Sequence, residues 1–275
     1  MTIAPVYSAA TIAQIKSLEE ANPLREPVLR AIMTDLKFAL GSHGLDIGCG
    51  IGLQTSLLAE ATSPAGRVTG LDISPELLAY AQNRVGSLPG ADRITFREGD
   101  MRSLPFPDNS FDWAWSADCV GYPAGDLLPV LTEIARVVRP GGTIALLAWT
   151  SQQVLPGNGW LEAQLNAQAS AYAPYLQNQP PEFHFTRALR WFAAAGLTDL
   201  TARTYVGDVQ APLGAAQRAG LASLFVMLWD ESRISEIIRP DYWRLCRADS
   251  PDCLLDSSDY YAFFTYTVFA GKVAG

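Results

Sequence analysis

Leu45-Asp-Ile-Gly-Cys-Gly-Ile-Gly52 is the segment whose residue types and spacing could do chemistry. A short apolar run enters Gly48, Gly50 and Gly52, and helix-forming residues follow from Leu53. Glycines at such a bend allow a tight turn and let a ligand rest against bare backbone. The helix that follows offers unpaired N–H groups at its first turn. Asp72 stands twenty residues beyond Gly52, at the end of a second apolar run. A carboxylate placed there can accept both hydroxyls of a ribose. Two ligand classes share this pattern. A dinucleotide site asks for G-x-G-x-x-G, which from Gly48 would put its third glycine at position 53, where this chain has Leu53. Asp46, inside the end of the first run, would repel a pyrophosphate and suits a ligand carrying an ammonium or sulfonium charge.

These residues need an alternating scaffold to hold them, and the pattern from 44 to 150 provides one. Strands are predicted over 44–48, 67–72, 93–97, 111–116 and 143–149, with helices over 53–61, 75–85 and 127–138 between them. Ser74, Pro75 and Glu76 make a helix start, as cap, first position and acid at the positive end of the dipole. Arg139-Pro-Gly-Gly142 closes the third of these helices. Strands alternating with helices imply an α/β fold with a parallel sheet. Ahead of it, two helices are predicted over 11–20 and 27–40, punctuated by Pro23 and Pro27. Beyond 150 a helix over 187–195, a strand over 198–206, a mainly helical stretch over 215–247 and a last strand over 260–273 are expected. The intervals 151–185 and 211–259 are too long for loops and read as insertions forming a cap. The expected organisation is thus an N-terminal helical cap segment, 1–40, and one main domain, 41–275, carrying both insertions.

Composition narrows the function classes. The chain has 275 residues, 49% of them hydrophobic, enough for a sizeable core. Its net charge is −8 and its lysines are Lys16, Lys37 and Lys272. Such a chain is a poor partner for nucleic acid or an anionic membrane. Four cysteines without a CxxC pair and two distant histidines, His43 and His184, argue against a metal centre. The N-terminus shows no signal segment and the longest apolar stretch is too short to span a bilayer. A cytoplasmic protein is the expectation.

Leu45–Gly52, Gly70-Leu-Asp-Ile-Ser74, Glu98-Gly-Asp-Met101, Phe111-Asp112 and Arg139-Pro-Gly-Gly142, in this order and spacing, resemble the class I S-adenosylmethionine-dependent methyltransferases. Within that class the resemblance is to the small-molecule enzymes of the ubiquinone/menaquinone-biosynthesis type. It implies a Rossmann-like seven-stranded sheet, mostly parallel, whose last strand is antiparallel. It also implies S-adenosyl-L-methionine as cofactor and a small organic acceptor methylated by direct in-line displacement. By position, Asp46, Gly48, Cys49 and Gly50 match the loop that holds the methionine moiety. Asp72 matches the acid on the ribose hydroxyls, with Ile73 beside the adenine. Asp100 matches the acid at the adenine amino group, flanked by Met101. Ser116, Ala117 and Asp118 match the strand end next to the reacting methyl. Cys49, between two glycines, also reads as a small residue chosen for fit. Asp118 and His184 are the candidates for removing an acceptor proton, although Asp118 suits a helix cap equally well and His184 suits a structural role better. The late aromatics, Tyr266 among them, fit either core packing or a pocket for an aromatic or apolar acceptor. The alternatives are a nicotinamide-dependent oxidoreductase and a non-catalytic cofactor-binding protein. No motif identifies the acceptor or the atom methylated.

Overall fold

A computed structural model describes residues 7–121, 127–170 and 180–275. Seven strands form one sheet: β1 (His43–Ile47), β2 (Arg67–Asp72), β3 (Ile94–Glu98), β4 (Phe111–Ala117), β5 (Val138–Gln153), β6 (Thr198–Gln210) and β7 (Tyr261–Lys272). Their order is β3-β2-β1-β4-β5-β7-β6. β1 to β5 pair in parallel, and β7 runs antiparallel to both β5 and β6. The expected Rossmann-like sheet with its reversed last strand is therefore present. The order reverses beside β1, where open α/β sheets leave a crevice at the strand ends.

The helices are α1 (Ala9–Leu36), α2 (Leu53–Ala61), α3 (Pro75–Val85), α4 (Leu128–Val137), α5 (Gly159–Ala169), α6 (Ala188–Ala194), α7 (Ala215–Leu228) and α8 (Arg239–Cys246). Ser74 caps α3 as expected, accepting from Leu77 N–H, with Pro75 at the first position. Two buried clusters cover the two sheet faces. One joins α1, α2, α5 and α7 to Trp113, Trp115 and Trp149. The other joins α4 and α6 to Leu45, Ile47 and Phe111. Among the described residues no helix is long and apolar enough to cross a membrane.

Three expectations are corrected. The two N-terminal helices are one, since α1 passes through both prolines and ends at Leu36. A proline inside a helix removes a hydrogen bond and costs about 3 kcal/mol. Here Pro23 and Pro27, four apart, are exposed, as is Glu19. Leu24, Val28, Leu29, Ile32 and Met33 are buried on the other side and hold the helix together. The second correction is β5, which continues to Gln153 because Ser151, Gln152 and Gln153 pair with Thr265, Phe264 and Phe263 of β7. The interval expected to be inserted from 151 thus opens as sheet, and its residues 171–179 lie outside the described part. The third is the stretch 215–247, which breaks into α7 and α8; Pro240 sits at the start of α8 instead of interrupting it.

α1 is fixed across the strand ends by contacts to several elements. Ser8 N–H and Oγ donate to Glu76 at 3.0 and 3.1 Å, and Tyr80 Oη donates to Glu19 at 2.6 Å, tying α1 to α3. Arg30 reaches Glu60 of α2 at 2.6 Å, and Asp35 accepts from Tyr205 of β6 at 2.9 Å. α7 packs so closely that a side chain at Gly220 would run into the Glu20 carbonyl.

Candidate active site

The bend after β1 is built on positive φ angles: 74° at Gly48, 52° at Gly50 and 73° at Gly52. Such angles are cheap only for glycine. At Gly48 the space is also taken, because an added Cβ would overlap the Cys119 sulfur. Backbone hydrogen bonds hold the loop's shape: Gly48 and Cys49 N–H donate to the Leu71 carbonyl at 2.8 and 3.0 Å, and Gly52 N–H donates to Cys49 O at 2.9 Å. Asp72 fixes it from β2. One oxygen accepts from Gly50 N–H and the other from Ser74 N–H, both at 2.9 Å. A carboxylate accepts about four hydrogen bonds, so lone pairs on both oxygens stay available to a ligand.

A cavity of about 370 Å³ lies over this bend. Gly48, Cys49, Gly50, Asp72, Ile73, Ala117 and Asp118 line its sheet side. Gln14, Leu18, Asn22, Arg25 and Leu29, spaced by three and four along α1, form its roof. A smaller cavity of about 80 Å³ continues from Asp72 and Ile73 to Asp100 and Met101. Ile73 is 65% exposed, an uncovered apolar surface at the join. Arg102 pairs with Asp100 and, with its own backbone N–H, holds that carboxyl down to about 2.

Asp46 and Ser116 are brought to the same place but line none of these cavities. Asp46 is buried and accepts from Thr55 Oγ1 of α2 at 2.6 Å. Burial raises its pKa and Asp72 adds to this, while the Thr55 hydroxyl opposes it; the carboxyl is pushed up to about 7. Ser116 Oγ donates to Ile47 O at 2.9 Å and accepts from Val120 N–H at 3.2 Å, joining the ends of β1 and β4. Cys49 is buried, and burial keeps its thiol protonated. Cys119 lines both cavities, and its thiol is pushed up to about 12, chiefly by burial.

Asp118, at the end of β4, is the hub of the far side. Its backbone has φ +50°, and it accepts from Trp149 N–H at 2.9 Å, Arg25 Nη2 at 2.5 Å and Tyr266 Oη at 2.8 Å. Burial works against the Arg25 charge, but Tyr266 and Asp118 outweigh it and stabilise the guanidinium. Beyond this hub opens a third cavity of about 200 Å³, walled by Leu18, Ala21, Leu24, Trp149, Leu224, Met227, Leu228 and Tyr266. It shares Leu18, Arg25 and Asp118 with the first cavity. His184 is not part of this assembly: it caps a short 3-10 turn, its Nδ1 lying 2.9 Å from Thr186 Oγ1. Arg25 and the α1 roof escaped sequence reasoning, although positions 14, 18, 22, 25 and 29 carry a helical period that could have pointed to them. Of the late aromatics, Tyr266 enters the site, whereas Trp229, Tyr260 and Phe264 are core.

Known proteins resemble this chain in sequence and in fold. A family model described as a methyltransferase domain matches residues 45–142. A demethylmenaquinone methyltransferase of Staphylococcus aureus is 31% identical over 197 residues, covering 66% of this chain and 78% of the relative. The chain belongs to the class I S-adenosylmethionine-dependent methyltransferases. The fold is shared with a SAM-dependent methyltransferase from Aquifex aeolicus (TM-score 0.53, 16% identity, 98% of this chain and 100% of that one). It is shared too with Haemonchus contortus phosphoethanolamine N-methyltransferase 2 in complex with S-adenosyl-L-methionine (TM-score 0.51, 18% identity, 90% of this chain and 52% of that one). This methyltransferase is an enzyme that uses S-adenosylmethionine to methylate a small molecule. The oxidoreductase alternative is not favoured.

Proposed function

We propose that the glycine bend and the α1 roof bind S-adenosylmethionine, and that the apolar cavity beyond Asp118 takes a quinone-like aromatic acceptor. The observation that carries this reading is the shared boundary: the two cavities meet at Leu18, Arg25 and Asp118, where a methyl group could pass from one to the other. The residues fit the cofactor by charge. Asp72 and Asp118 line the crevice and Asp46 lies beneath it, while Arg25, the one lining cation among the described residues, is engaged by Asp118. Such a site favours a sulfonium over a diphosphate.

In this reading Gly48, Cys49 and Gly50 cradle the methionine moiety, with Asp46 and Ser116 shaping the cradle from behind. Asp72 takes the ribose hydroxyls. Ile73, Asp100 and Met101 enclose the adenine, while Ala117 and Asp118 face the methyl. The sulfonium supplies an activated methyl group when bound. The chain then has to align the acceptor and exclude water. α1 and the segments around α5, α7 and α8 form the cap that does so. The relative's name, a demethylmenaquinone enzyme, supports a quinone-type acceptor, as do Trp149 and the leucines of the apolar cavity. The net charge of −8 and free cysteines support a cytoplasmic enzyme that does not bind nucleic acid.

The test is an anaerobic assay with methyl-labelled S-adenosylmethionine and 1,4-naphthalenediol, beside calorimetry with S-adenosylhomocysteine. Label in the extracted naphthalenediol and binding of the homocysteine product are expected. Preferential labelling of amines or phosphorylated acceptors would overturn the acceptor half of the reading.

A further inference from the structure

Among the described residues lining the apolar cavity, the charged and hydroxyl-bearing side chains are Arg25, Asp118 and Tyr266. They form one closed cluster. Arg25 Nη2 donates to Asp118 at 2.5 Å, Arg25 Nε donates to Tyr266 Oη at 2.7 Å, and Tyr266 Oη donates to Asp118 at 2.8 Å. They come from α1, the end of β4 and β7. Asp118 is held at φ +50°, a conformation unfavourable for a non-glycine residue that persists where the surroundings impose it.

Arg25 is not spent by these contacts. A guanidinium has five N–H donors, and two bonds are made here. Among the described residues the buried side-chain polar atom left without a partner is Gln168 Oε1. Arg25 Nη1 bonds to no described residue and is not among the buried unpartnered atoms, so its two N–H groups are accessible at the cavities that Arg25 lines. A donor fork and a carboxylate thus stand side by side at the mouth of an apolar cavity. Asp118 repels an anionic acceptor head and Arg25 repels a cationic one. A neutral hydroxyl satisfies both, because it accepts from Arg25 and donates to Asp118.

We infer that Arg25 is an acceptor-binding residue that selects an apolar acceptor bearing a phenolic or enolic hydroxyl, with Asp118 receiving the hydroxyl proton and Tyr266 positioning both. This rests on the apolar cavity being the acceptor site. The step balances. The O–H proton passes to the Asp118 carboxylate, and the new bond to the methyl carbon forms from the oxygen's pair, or from the adjacent ring carbon with loss of that carbon's proton to water. The sulfur–methyl bond breaks with its pair returning to sulfur. Arg25 stabilises the charge that develops on the oxygen.

Calorimetry on the protein loaded with S-adenosylhomocysteine, using 1-naphthol and 1-methylnaphthalene as probes, tests this. The native chain is expected to prefer 1-naphthol by about tenfold or more, the scale of a charged hydrogen bond. Arg25→Met should abolish that preference and cost S-adenosylhomocysteine less affinity than it costs 1-naphthol. Arg25→Lys, which keeps the charge should the first variant fail to fold, should retain a reduced preference. Tyr266→Phe should lower turnover of 1-naphthol while changing its KM by less than about twofold. Loss of S-adenosylhomocysteine affinity in Arg25→Met with the naphthol preference intact would make Arg25 a cofactor ligand and overturn the inference. So would equal binding of the two probes by the native chain. Failure of both probes with S-adenosylhomocysteine still bound would overturn it as well, and would remove the acceptor assignment while sparing the cofactor crevice.

Discussion

The two halves of the site are made in different ways. The crevice is a backbone structure: the bend from Gly48 to Gly52, held by Leu71, Asp72 and Ser74 within about one βαβ unit. The apolar cavity is a side-chain structure, assembled from α1, the end of β4, β5, α7 and β7. Arg25 and Tyr266, which touch across it, are 241 residues apart in sequence. A site made of backbone needs particular residue types at short fixed spacing. A site made of side chains needs surfaces that meet only after folding. The first half is therefore suited to a ligand shared across a family, and the second is free to change with the acceptor.

Variants on either side should separate these halves. The largest effect is expected from Asp72→Ala, which removes the acceptor for Gly50 and Ser74 N–H along with the proposed ribose contacts. Cofactor affinity measured by calorimetry should fall about a hundredfold, the worth of two hydrogen bonds to a charged group at the low end. Unchanged affinity would mean that the bend keeps its shape without the carboxylate and that the ribose lies elsewhere.

Gly48→Ala should act on stability. It forces an alanine to φ +74° and against Cys119. Urea unfolding should show a loss on the order of 3 kcal/mol. A smaller loss, under about 1 kcal/mol, would show that the bend yields and is less rigid than the comparison requires.

Asp46→Asn should give the smallest effect, and one that depends on pH. The native carboxyl titrates at about 7, above the ~3.9 of an unfolded aspartate. The folded chain thus holds a proton that the unfolded chain releases. The stability this contributes is complete below about pH 4 and is lost as pH rises through about 7. The asparagine variant should show a flatter fall in melting temperature across that window. It should also bind S-adenosylmethionine more weakly, by less than about tenfold, with less change for the uncharged-sulfur product. An unaltered pH profile would mean that Asp46 is ionised throughout.

The same contrast explains what was legible in the sequence. The spans of α2, β2 and α3 follow from apolar period and from Ser74-Pro75 at a helix start. The bend follows from three glycines ahead of a helix. α1 reads as two helices in sequence because proline penalties are local, whereas the burial of Leu24, Leu29 and Ile32 that overrides them is tertiary. Asp46 reads as a ligand from its position, whereas the hydrogen bond its carboxyl accepts from Thr55 is set by how α2 packs. His184 stands out by its chemistry alone, and it caps a short turn away from the cavities. Arg25 carries no local signal, because its partners, Asp118 just beyond β4 and Tyr266 on β7, are distant in sequence.

Leu224→Trp puts the division of the site to the most direct test. Leu224 is a buried wall of the apolar cavity and lines neither part of the crevice, so an indole there fills the proposed acceptor space alone. Titration of this variant with S-adenosylhomocysteine should give an affinity within about twofold of the native chain while methylation of 1,4-naphthalenediol is lost. Loss of S-adenosylhomocysteine binding in a folded variant, or full methyl transfer with the cavity filled, would contradict the account.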